Sequence, residues 1–283
     1  MSRVDLHIHS TASDGKFSPE AIVAKAAEHG LTIIALADHD SVDGIAPALE
    51  AARAFPQLMV IPCVEISTDM PGGEAHVLGY FIDYNSNELR SALERFRSSR
   101  QRRAQGMIAK LRDFGIQLDL QRVQEIASDG SIGRPHIAQA MREKGYITSL
   151  KEAFTRYIGQ GGPAYVEREK MTPAEAVELI VQSDGLPVLA HPFTVNDPET
   201  MIIELKGAGL VGIEAYYNSY TADAIKSLVS LAERHRLIAT GGSDYHGLDD
   251  SSETGLGGVE VPLSSAERLI SLAGERALKL ANP

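Results

Sequence analysis

The sequence has a single cysteine, Cys63, no tryptophan, and no apolar run near the ~20 residues that a membrane-spanning helix needs. One cysteine excludes an internal disulfide framework and a zinc site built from cysteines. The first residues, MSRVDLHIHS, also lack the apolar segment of a signal peptide. We therefore expect a cytoplasmic protein without a membrane partner, and nothing in the sequence indicates an obligatory protein partner.

Positive charge is scarce as well. The chain has 27 lysines and arginines against 38 aspartates and glutamates, which gives a net charge of −11. This balance disfavours a general attraction to nucleic acids or anionic membranes. The hydrophobic fraction of 43% is that of an ordinary globular protein. With 283 residues, the chain suits two ordinary domains or one large α/β barrel.

Short β-rich segments alternate with helical segments in two parts of the chain, which is typical of a parallel sheet. The β-rich segments are 3–9, 31–37, 58–67, 75–82, LPVLAHP, LVGIEAYY and LIATGGSD. Residues from about 86 to 162, between these parts, are helical and polar and end at GQGGPAY. We expect a barrel formed by residues 1–96 and 164–283, with a helical insertion at 97–163.

Histidines and carboxylates recur where the predicted strands end. In RVDLHIH, strand periodicity places one set of side chains on the core face, namely Val4, Leu6 and Ile8, and the opposite set on the other, namely Asp5, His7 and His9. Similar residues near other strand ends are Asp38, His39, Asp40, Glu65, His191, Asp244 and His246. Because strand ends converge in such folds, we expect one site there. Imidazoles and carboxylates without cysteine predict a divalent metal such as Mn²⁺, Zn²⁺ or Fe²⁺.

In their order, the motifs DLHIHS, DHD, the lone Glu65, EAHVLGY, GRPH, LAHP and GSDYHG resemble those of the PHP (polymerase and histidinol phosphatase) family. The resemblance extends along nearly the whole chain and implies a distorted (β/α)7 barrel of the α/β class. Within the family, the sequence is most similar to the bacterial group that removes the 3′-phosphate from nucleoside 3′,5′-bisphosphates. Relatives of that group degrade short RNA from the 5′ end.

The resemblance implies nine metal ligands: His7, His9, Asp14, His39, Glu65, His76, His191, Asp244 and His246. Nine ligands suit three divalent ions, for which we expect Mn²⁺, with Zn²⁺, Fe²⁺ or Mg²⁺ as alternatives. The expected sets are His7, His9 and Asp244; His76 and His191; and Asp14, His39 and His246, with Glu65 bridging the first two. Three divalent ions and three carboxylates sum to +3, which favours a phosphate dianion.

The implied reaction is hydrolysis of a phosphomonoester. Glu65 would hold the two ions that lower the pKa of the attacking water. The leaving ribose oxygen needs a proton, for which water, His191 and His246 are the candidate donors. We expect Asp38 and Asp40 to orient ligand imidazoles.

Residues 95–112, RFRSSRQRRAQGMIAKLR, contain seven basic and no acidic residues in this acidic chain. We expect this segment to cap the barrel mouth and its arginines to bind a second phosphate, because guanidinium groups match phosphate oxygens. The candidates are Arg100, Arg102 and Arg103, together with Arg134 and His136 of SIGRPHIA. A solvated helix face is the alternative interpretation.

Other functions stay open. A 5′-to-3′ exonuclease of short RNA or DNA would use the same metal centre. An amidohydrolase barrel also begins with H-x-H, but Glu65, DHD and SDYH fit it poorly, and a non-catalytic metal-stabilised domain would be expected to have lost ligands. The residues that bind the base are open too, since Tyr157, Tyr216, Tyr217 and Tyr220 are all candidates for stacking.

Overall fold

The computed structural model describes residues 3–70, 73–127, 132–167, 171–248 and 253–281. The chain forms two compact units, the first made of residues 1–90 and 171–283 and the second of residues 91–170. Both β-rich parts of the sequence therefore belong to the first unit. The domain limits that we predict at 97 and 163 lie within the second unit.

The strands of the described chain form one seven-stranded sheet in the first unit. They are β1 (Val4–Ile8), β2 (Ile33–Leu36), β3 (Met59–Met70), β4 (Gly73–Tyr80), β5 (Leu186–Leu189), β6 (Gly212–Tyr217) and β7 (Ile238–Gly242). Strands that follow one another in sequence are neighbours in the sheet. Their pairings are parallel, except that β4 is antiparallel to both β3 and β5.

The sheet nearly closes into a barrel, because the end of β7 returns to β1. The backbone N–H of His9 donates to the carbonyl of Tyr245 at 2.9 Å. Since one strand runs against the others, the barrel is distorted, as the resemblance implies. The predicted barrel class is thus confirmed.

Strand β1 departs from the alternation that we predict for it. Its pairing with β2 shifts between Asp5 and Ile8, so that β1 contains one extra residue there. Val4 and Leu6 pack in a cluster of strand residues, whereas Ile8 packs among residues of the helices and of β2. The prediction that Ile8 shares a face with Val4 and Leu6 is wrong, because a one-residue insertion reverses every side chain beyond it.

The helices are α1 (Pro19–Glu28), α2 (Ile45–Ala52), α3 (Asn87–Arg112), α4 (Leu120–Ile126), α5 (Arg134–Glu143), α6 (Leu150–Ala153), α7 (Pro173–Gln182), α8 (Pro198–Ala208), α9 (Ala222–Arg234) and α10 (Leu263–Ala281). Helix α1 begins with a serine cap, because the side chain of Ser18 accepts the N–H of Ala21 and Pro19 occupies the first helical position. No helix of the described residues is long and apolar enough to cross a membrane.

The second unit has an apolar core of its own. Helices α3 to α5 contribute fully buried residues to it, including Met107, Leu111, Val123 and Met141. A π-helical turn, Phe154–Ile158, follows α6, and the chain then turns at Gly159 to Gly162. Part of one predicted helical stretch, residues 128–130, lies outside the described residues.

Candidate metal centre

The first unit brings the nine predicted ligands together at one end of the barrel. His39 follows β2, His191 follows β5, and Asp244 and His246 follow β7. His76 reaches the same end differently, because the early part of the antiparallel strand β4 pairs with the later part of β3. The direction of β4 could not be read from its sequence, so strand position alone did not place His76.

Glu65 lies at the centre of the cluster, with a side chain that is 1% exposed. Its two oxygens face different imidazoles. Oε2 lies 3.2 Å from His7 Nε2, 3.4 Å from His9 Nε2 and 3.1 Å from His39 Nδ1. Oε1 lies 2.9 Å from His76 Nδ1 and 3.0 Å from His191 Nε2. A carboxylate whose two oxygens face separate sets of imidazoles could help to hold two metal ions, one with each set.

Asp244 extends the cluster on one side of Glu65. Its Oδ1 lies 3.0 Å from His9 Nε2 and 3.4 Å from His7 Nε2. Its Oδ2 accepts a hydrogen bond from the hydroxyl of Tyr217 at 2.7 Å. Asp244 is therefore held in place by a residue that the sequence analysis considered only for base stacking.

Asp14 joins the cluster on another side. Its Oδ1 lies 3.4 Å from His246 Nε2 and 3.6 Å from His9 Nδ1, and its Oδ2 lies 3.8 Å from His39 Nε2. His9 thus lies between Asp14 and Asp244, with one ring nitrogen towards each. An imidazole in that position can coordinate one ion and hydrogen-bond to the ligand of another.

Among the described residues, three groups place their ligand atoms within 4.8 Å of one another. They are His7, His9, Glu65 and Asp244; His9, Asp14, His39 and His246; and His39, Glu65 and His76. The first has the members that we predict for the first ion together with Glu65. The second adds His9 to a predicted set, and the third has His39 where we predict His191.

The donor atoms fit divalent cations. His7 Nε2 and His9 Nδ1 are buried, and the nearby carboxylate oxygens do not have the geometry of a hydrogen bond to them. Among the described residues both nitrogens are thus without a hydrogen bond, a state that is costly without a ligand. His7 Nδ1 lies 2.9 Å from Glu214 Oε1, and His246 Nδ1 lies 2.8 Å from the carbonyl of Asp244. In a neutral ring these nitrogens carry the proton, so Nε2 of each presents a lone pair to the cluster.

The same contacts set the charge of the imidazoles. Burial opposes the charged form of His7, but Glu214 and other carboxylates outweigh it and raise its pKa well above the usual value. Burial also opposes charge on His246, yet Asp14 raises its pKa to about 9. Burial lowers the pKa of His39 to about 4. Metal binding must therefore displace protons from part of the cluster at neutral pH.

Glu214 belongs to the site, although it is not among the residues predicted from the sequence. It is fully buried in β6, and its Oε1 lies 2.9 Å from His7 Nδ1. Its Oε2 accepts the backbone N–H of His191 at 2.8 Å. The signal was present, because a lone acid within the apolar strand GIEAYY is the same pattern that singled out Glu65 in IPCVEIS.

Asp38 does not have the predicted role of orienting a ligand imidazole. Its carboxylate accepts hydrogen bonds from the backbone N–H and the hydroxyl of Ser10 and from the hydroxyl of Ser13, each at 2.7 Å. It therefore fixes the loop that carries Asp14, rather than an imidazole. Asp40 accepts the backbone N–H of Ser67 at 2.9 Å.

In the second unit, two of the predicted anion-binding arginines share one ring. Arg103 and Arg134 lie over Tyr165, with their guanidinium carbons 5.3 and 6.0 Å from its centroid. His136 lies in the first turn of α5, and its Nδ1 accepts the N–H of Gly133 at 3.0 Å. A neutral His136 therefore carries its proton on Nε2.

The arginines of helix α3 do not form one group. Arg102 is exposed, whereas Arg100 and Arg103 are half-buried. Arg100 and Arg103 are three residues apart and therefore share a face of the helix, whereas Arg102 lies on another face. Arg103 Nε also donates to the carbonyl of Val166 at 3.0 Å, so it fastens the segment that returns from the insertion.

The barrel and its buried cluster of histidines and carboxylates define a metal-dependent hydrolase. The profile of the PHP domain family matches residues 5–157, and the chain belongs to this family. It is 34% identical over 255 residues to the 5′-3′ exoribonuclease Rnm of Escherichia coli (strain K12), covering 86% of this chain and 84% of that protein. It is 32% identical over 253 residues to a 3′,5′-nucleoside bisphosphate phosphatase of Chromobacterium violaceum, covering 87% of this chain and 88% of that protein.

Two solved structures share the fold of this chain. A protein described as a metal-dependent phosphoesterase, from Bifidobacterium adolescentis, has a TM-score of 0.79 and 26% identity over 95% of both chains. A Chromobacterium violaceum protein described as an amidohydrolase, with bound sulfate and no metal, has a TM-score of 0.81 and 29% identity over 95% of this chain and 96% of that one. Together, the family and these likenesses make the protein a metal-dependent phosphoesterase.

Proposed function

We propose that the protein hydrolyses the 3′-phosphate of nucleoside 3′,5′-bisphosphates and releases a nucleoside 5′-monophosphate and phosphate. The observation that carries the proposal is Glu65 with five imidazole nitrogens within 3.4 Å of its oxygens. Such a centre would concentrate divalent cations around one buried carboxylate. The formal charge of such a centre would be +2, because three divalent ions contribute +6 and four carboxylates contribute −4, namely Asp14, Glu65, Asp244 and the additional Glu214. This positive excess would attract a phosphate dianion. A neutral acyl or sugar group would not need that charge.

Divalent ions, with Mn²⁺ as the proposed metal, would supply Lewis acidity and a water nucleophile of lowered pKa. The nine candidate ligands would hold these ions, and the other residues would keep the ligands in place. Glu214 orients His7 through its Nδ1, and the Tyr217 hydroxyl orients Asp244. Ligands fixed in this way lose little entropy when the substrate binds.

In the reaction, water loses a proton as its oxygen forms a bond to phosphorus, the bond from phosphorus to O3′ breaks with the electron pair leaving on O3′, and O3′ takes up a proton, so that no net proton is gained or lost. His191 and His246 are the side chains proposed to donate it, and they are 10% and 20% exposed.

A leaving-group series separates this role from ligation. His246→Gln should lose more activity on a nucleotide than on 4-nitrophenyl phosphate, whose leaving group needs no proton, if His246 is the donor. Equal losses on both substrates would assign it to ligation alone, and His191→Gln is tested in the same way.

The second phosphate of the substrate is proposed to bind residues of the second unit. Arg103 and Arg134 converge on Tyr165, and His136 lies in the first turn of α5. Guanidinium groups and a helix N-terminus both favour phosphate. Arg100 and Arg102 stay predictions for the same role.

The test is phosphate release by protein reconstituted with Mn²⁺. Substrates are adenosine 3′,5′-bisphosphate, adenosine 3′-monophosphate and adenosine 5′-monophosphate, with separation of the nucleoside products. We expect loss of the 3′-phosphate alone, and the highest kcat/KM for the bisphosphate. Release of the 5′-phosphate, or no release from any of the three, would refute the proposal.

A second candidate is a 5′-to-3′ exonuclease of short RNA or DNA. The names of two relatives favour it: the Escherichia coli protein and a 5′-3′ exoribonuclease of Haemophilus influenzae, which is 33% identical over 248 residues. Both activities break the bond between O3′ of the first nucleotide and phosphorus. They differ in whether that phosphorus carries another nucleotide. A ladder of 5′-phosphorylated oligonucleotides decides between them, because a kcat/KM that exceeds the value for the bisphosphate would make the exonuclease the main activity.

A further inference from the structure

We propose that three aromatic rings beside the metal centre, Tyr217, Tyr220 and Phe193, form the surface on which the base of the substrate stacks. This inference rests on the proposed function, because it assigns the nucleoside part of a substrate whose phosphate is held by the candidate ligands. It also ranks the tyrosines that the sequence left unranked. All the residues concerned belong to the first unit.

The rings form a continuous series that starts at a candidate ligand. The ring centroids of His191 and Tyr217 are 5.5 Å apart, those of Tyr217 and Tyr220 are 5.1 Å apart, and those of Tyr220 and Phe193 are 5.2 Å apart. These separations are typical of aromatic rings in direct contact. The series therefore leads from the metal centre to a ring that is 47% exposed, Phe193.

Two neighbouring strands place these rings, and hydrogen bonds hold them. Phe193 comes two residues after His191, beyond β5, whereas Tyr217 ends β6 and Tyr220 lies in the loop that follows. The Tyr220 hydroxyl accepts the backbone N–H of Phe193 at 3.2 Å. The Tyr217 hydroxyl donates to Asp244 at 2.7 Å. A surface fixed at both ends is suited to stacking, since little freedom is lost when a planar group binds.

The other candidate tyrosines are engaged elsewhere. Tyr157 belongs to the second unit, where its ring contacts Phe114 and lies beneath the guanidinium of Arg156. Tyr216 packs against the apolar cluster of the barrel strands. Among the described residues, neither ring contacts the ring of a candidate ligand.

A nucleobase is the occupant that these observations favour. Phe193 ends the series of contacting rings with a half-exposed ring, and such a flat apolar face can be covered by another planar group. Because Tyr217 contacts both the ring of His191 and the carboxylate of Asp244, the group attached to a phosphate held at these candidate ligands would lie beside this surface, and in a nucleotide that group carries a base. Stacking accepts any base through its π-face, so we expect a broad base preference.

The kinetic test compares two substrates that differ only in the base, adenosine 3′,5′-bisphosphate and the abasic ribose 3,5-bisphosphate. Phe193→Ala should raise the KM for adenosine 3′,5′-bisphosphate relative to the KM for ribose 3,5-bisphosphate, so that the ratio of the two values increases about tenfold. Phe193→Trp should restore the wild-type ratio, whereas Phe193→Leu, which is apolar but not aromatic, should restore it only in part. An unchanged ratio in Phe193→Ala would overturn the proposal, because a merely structural role would alter both KM values equally.

A binding test stays informative if neither compound is hydrolysed. Because the chain contains no tryptophan, Phe193→Trp introduces a single fluorescent indole. Adenosine 5′-monophosphate should quench its emission, and ribose 5-phosphate should not. Met59→Trp is the control, since Met59 is 46% exposed and lies at the start of β3, away from the strand ends that carry the cluster. Equal responses of the two variants would overturn the stacking surface, whereas failure of hydrolysis with selective quenching would overturn only the proposed reaction.

Discussion

The candidate ligands of the first unit lie in contact around one carboxylate, whereas the arginines of helix α3 in the second unit point in different directions. The ligands come from distant parts of the sequence, yet each is fixed by a strand or by the turn after it. The arginines are neighbours in sequence, but Arg102 is exposed while Arg100 and Arg103 are half-buried. Spacing relative to strand ends thus predicts a site better than local density of one residue type.

The physical reason is the cost of burial. Ionised groups removed from water must be paired, so the positions of Glu65 and its imidazoles are strictly constrained. An arginine on an exposed helix face is solvated in almost any orientation. A sequence therefore specifies a buried cluster strongly and a surface cluster weakly. Substitutions in the two clusters test this contrast, and the largest effect is expected at Glu65, the most constrained residue.

Glu65→Gln should lower kcat by at least about 10³-fold and reduce the content of bound metal. The substitution keeps the shape of the side chain but removes the charge that faces five imidazole nitrogens. Metal content is measured by elemental analysis and kcat by phosphate release. Glu50→Gln, which alters an exposed ion pair with Arg53, is the control and should change neither value. Full metal content with activity within tenfold of wild type would show that Glu65 does not bridge the ions.

Glu214→Gln should lower metal affinity or kcat about 10- to 100-fold, the usual effect of removing the charged partner of a ligand histidine. Glu214 contacts His7 at 2.9 Å in the buried cluster, and Glu199 contacts His235 at the same distance at the surface. Glu199→Gln is therefore a matched control and should leave both values unchanged. Similar behaviour of the two variants would contradict the idea that burial gives the His7 pair its importance.

The sequence predicted most of the fold and of the metal cluster for the same reason. Periodicity and turn residues located the strands, and convergence of their ends brought His39, His191 and Asp244 together. The bulge in β1 and the reversed direction of β4 were not predictable, because both depend on pairing between strands rather than on local pattern. Glu214 was not predicted, because no histidine accompanies it in the segment GIEAYY.

Arg134→Ala should raise KM for adenosine 3′,5′-bisphosphate about tenfold and change KM for 4-nitrophenyl phosphate little, because the second substrate lacks the second phosphate. Arg102→Ala is the comparison variant. Arg102 is a candidate for the same role, but its exposed side chain predicts a smaller contribution than that of Arg134, with less than about a twofold change for both substrates. Steady-state kinetics with the two variants measure the difference. Equal effects of Arg134→Ala on the two substrates would remove Arg134 from the proposed phosphate site, and a larger effect of Arg102→Ala would reverse the ranking that burial suggests.

Tyr217→Phe should have the smallest effect, a decrease in kcat of about fivefold, because it removes one hydrogen bond to Asp244 and leaves every candidate ligand in place. The aromatic ring is kept, so the ratio of KM values for adenosine 3′,5′-bisphosphate and its abasic analogue should not change. Tyr146→Phe, which removes a hydroxyl that accepts the N–H of Gln117 in the second unit, is the control. A lower kcat with an unchanged ratio would separate the two roles of Tyr217, since its hydroxyl would then serve the metal centre and its ring the base. A changed ratio with normal kcat would mean that the hydroxyl positions the base instead of Asp244.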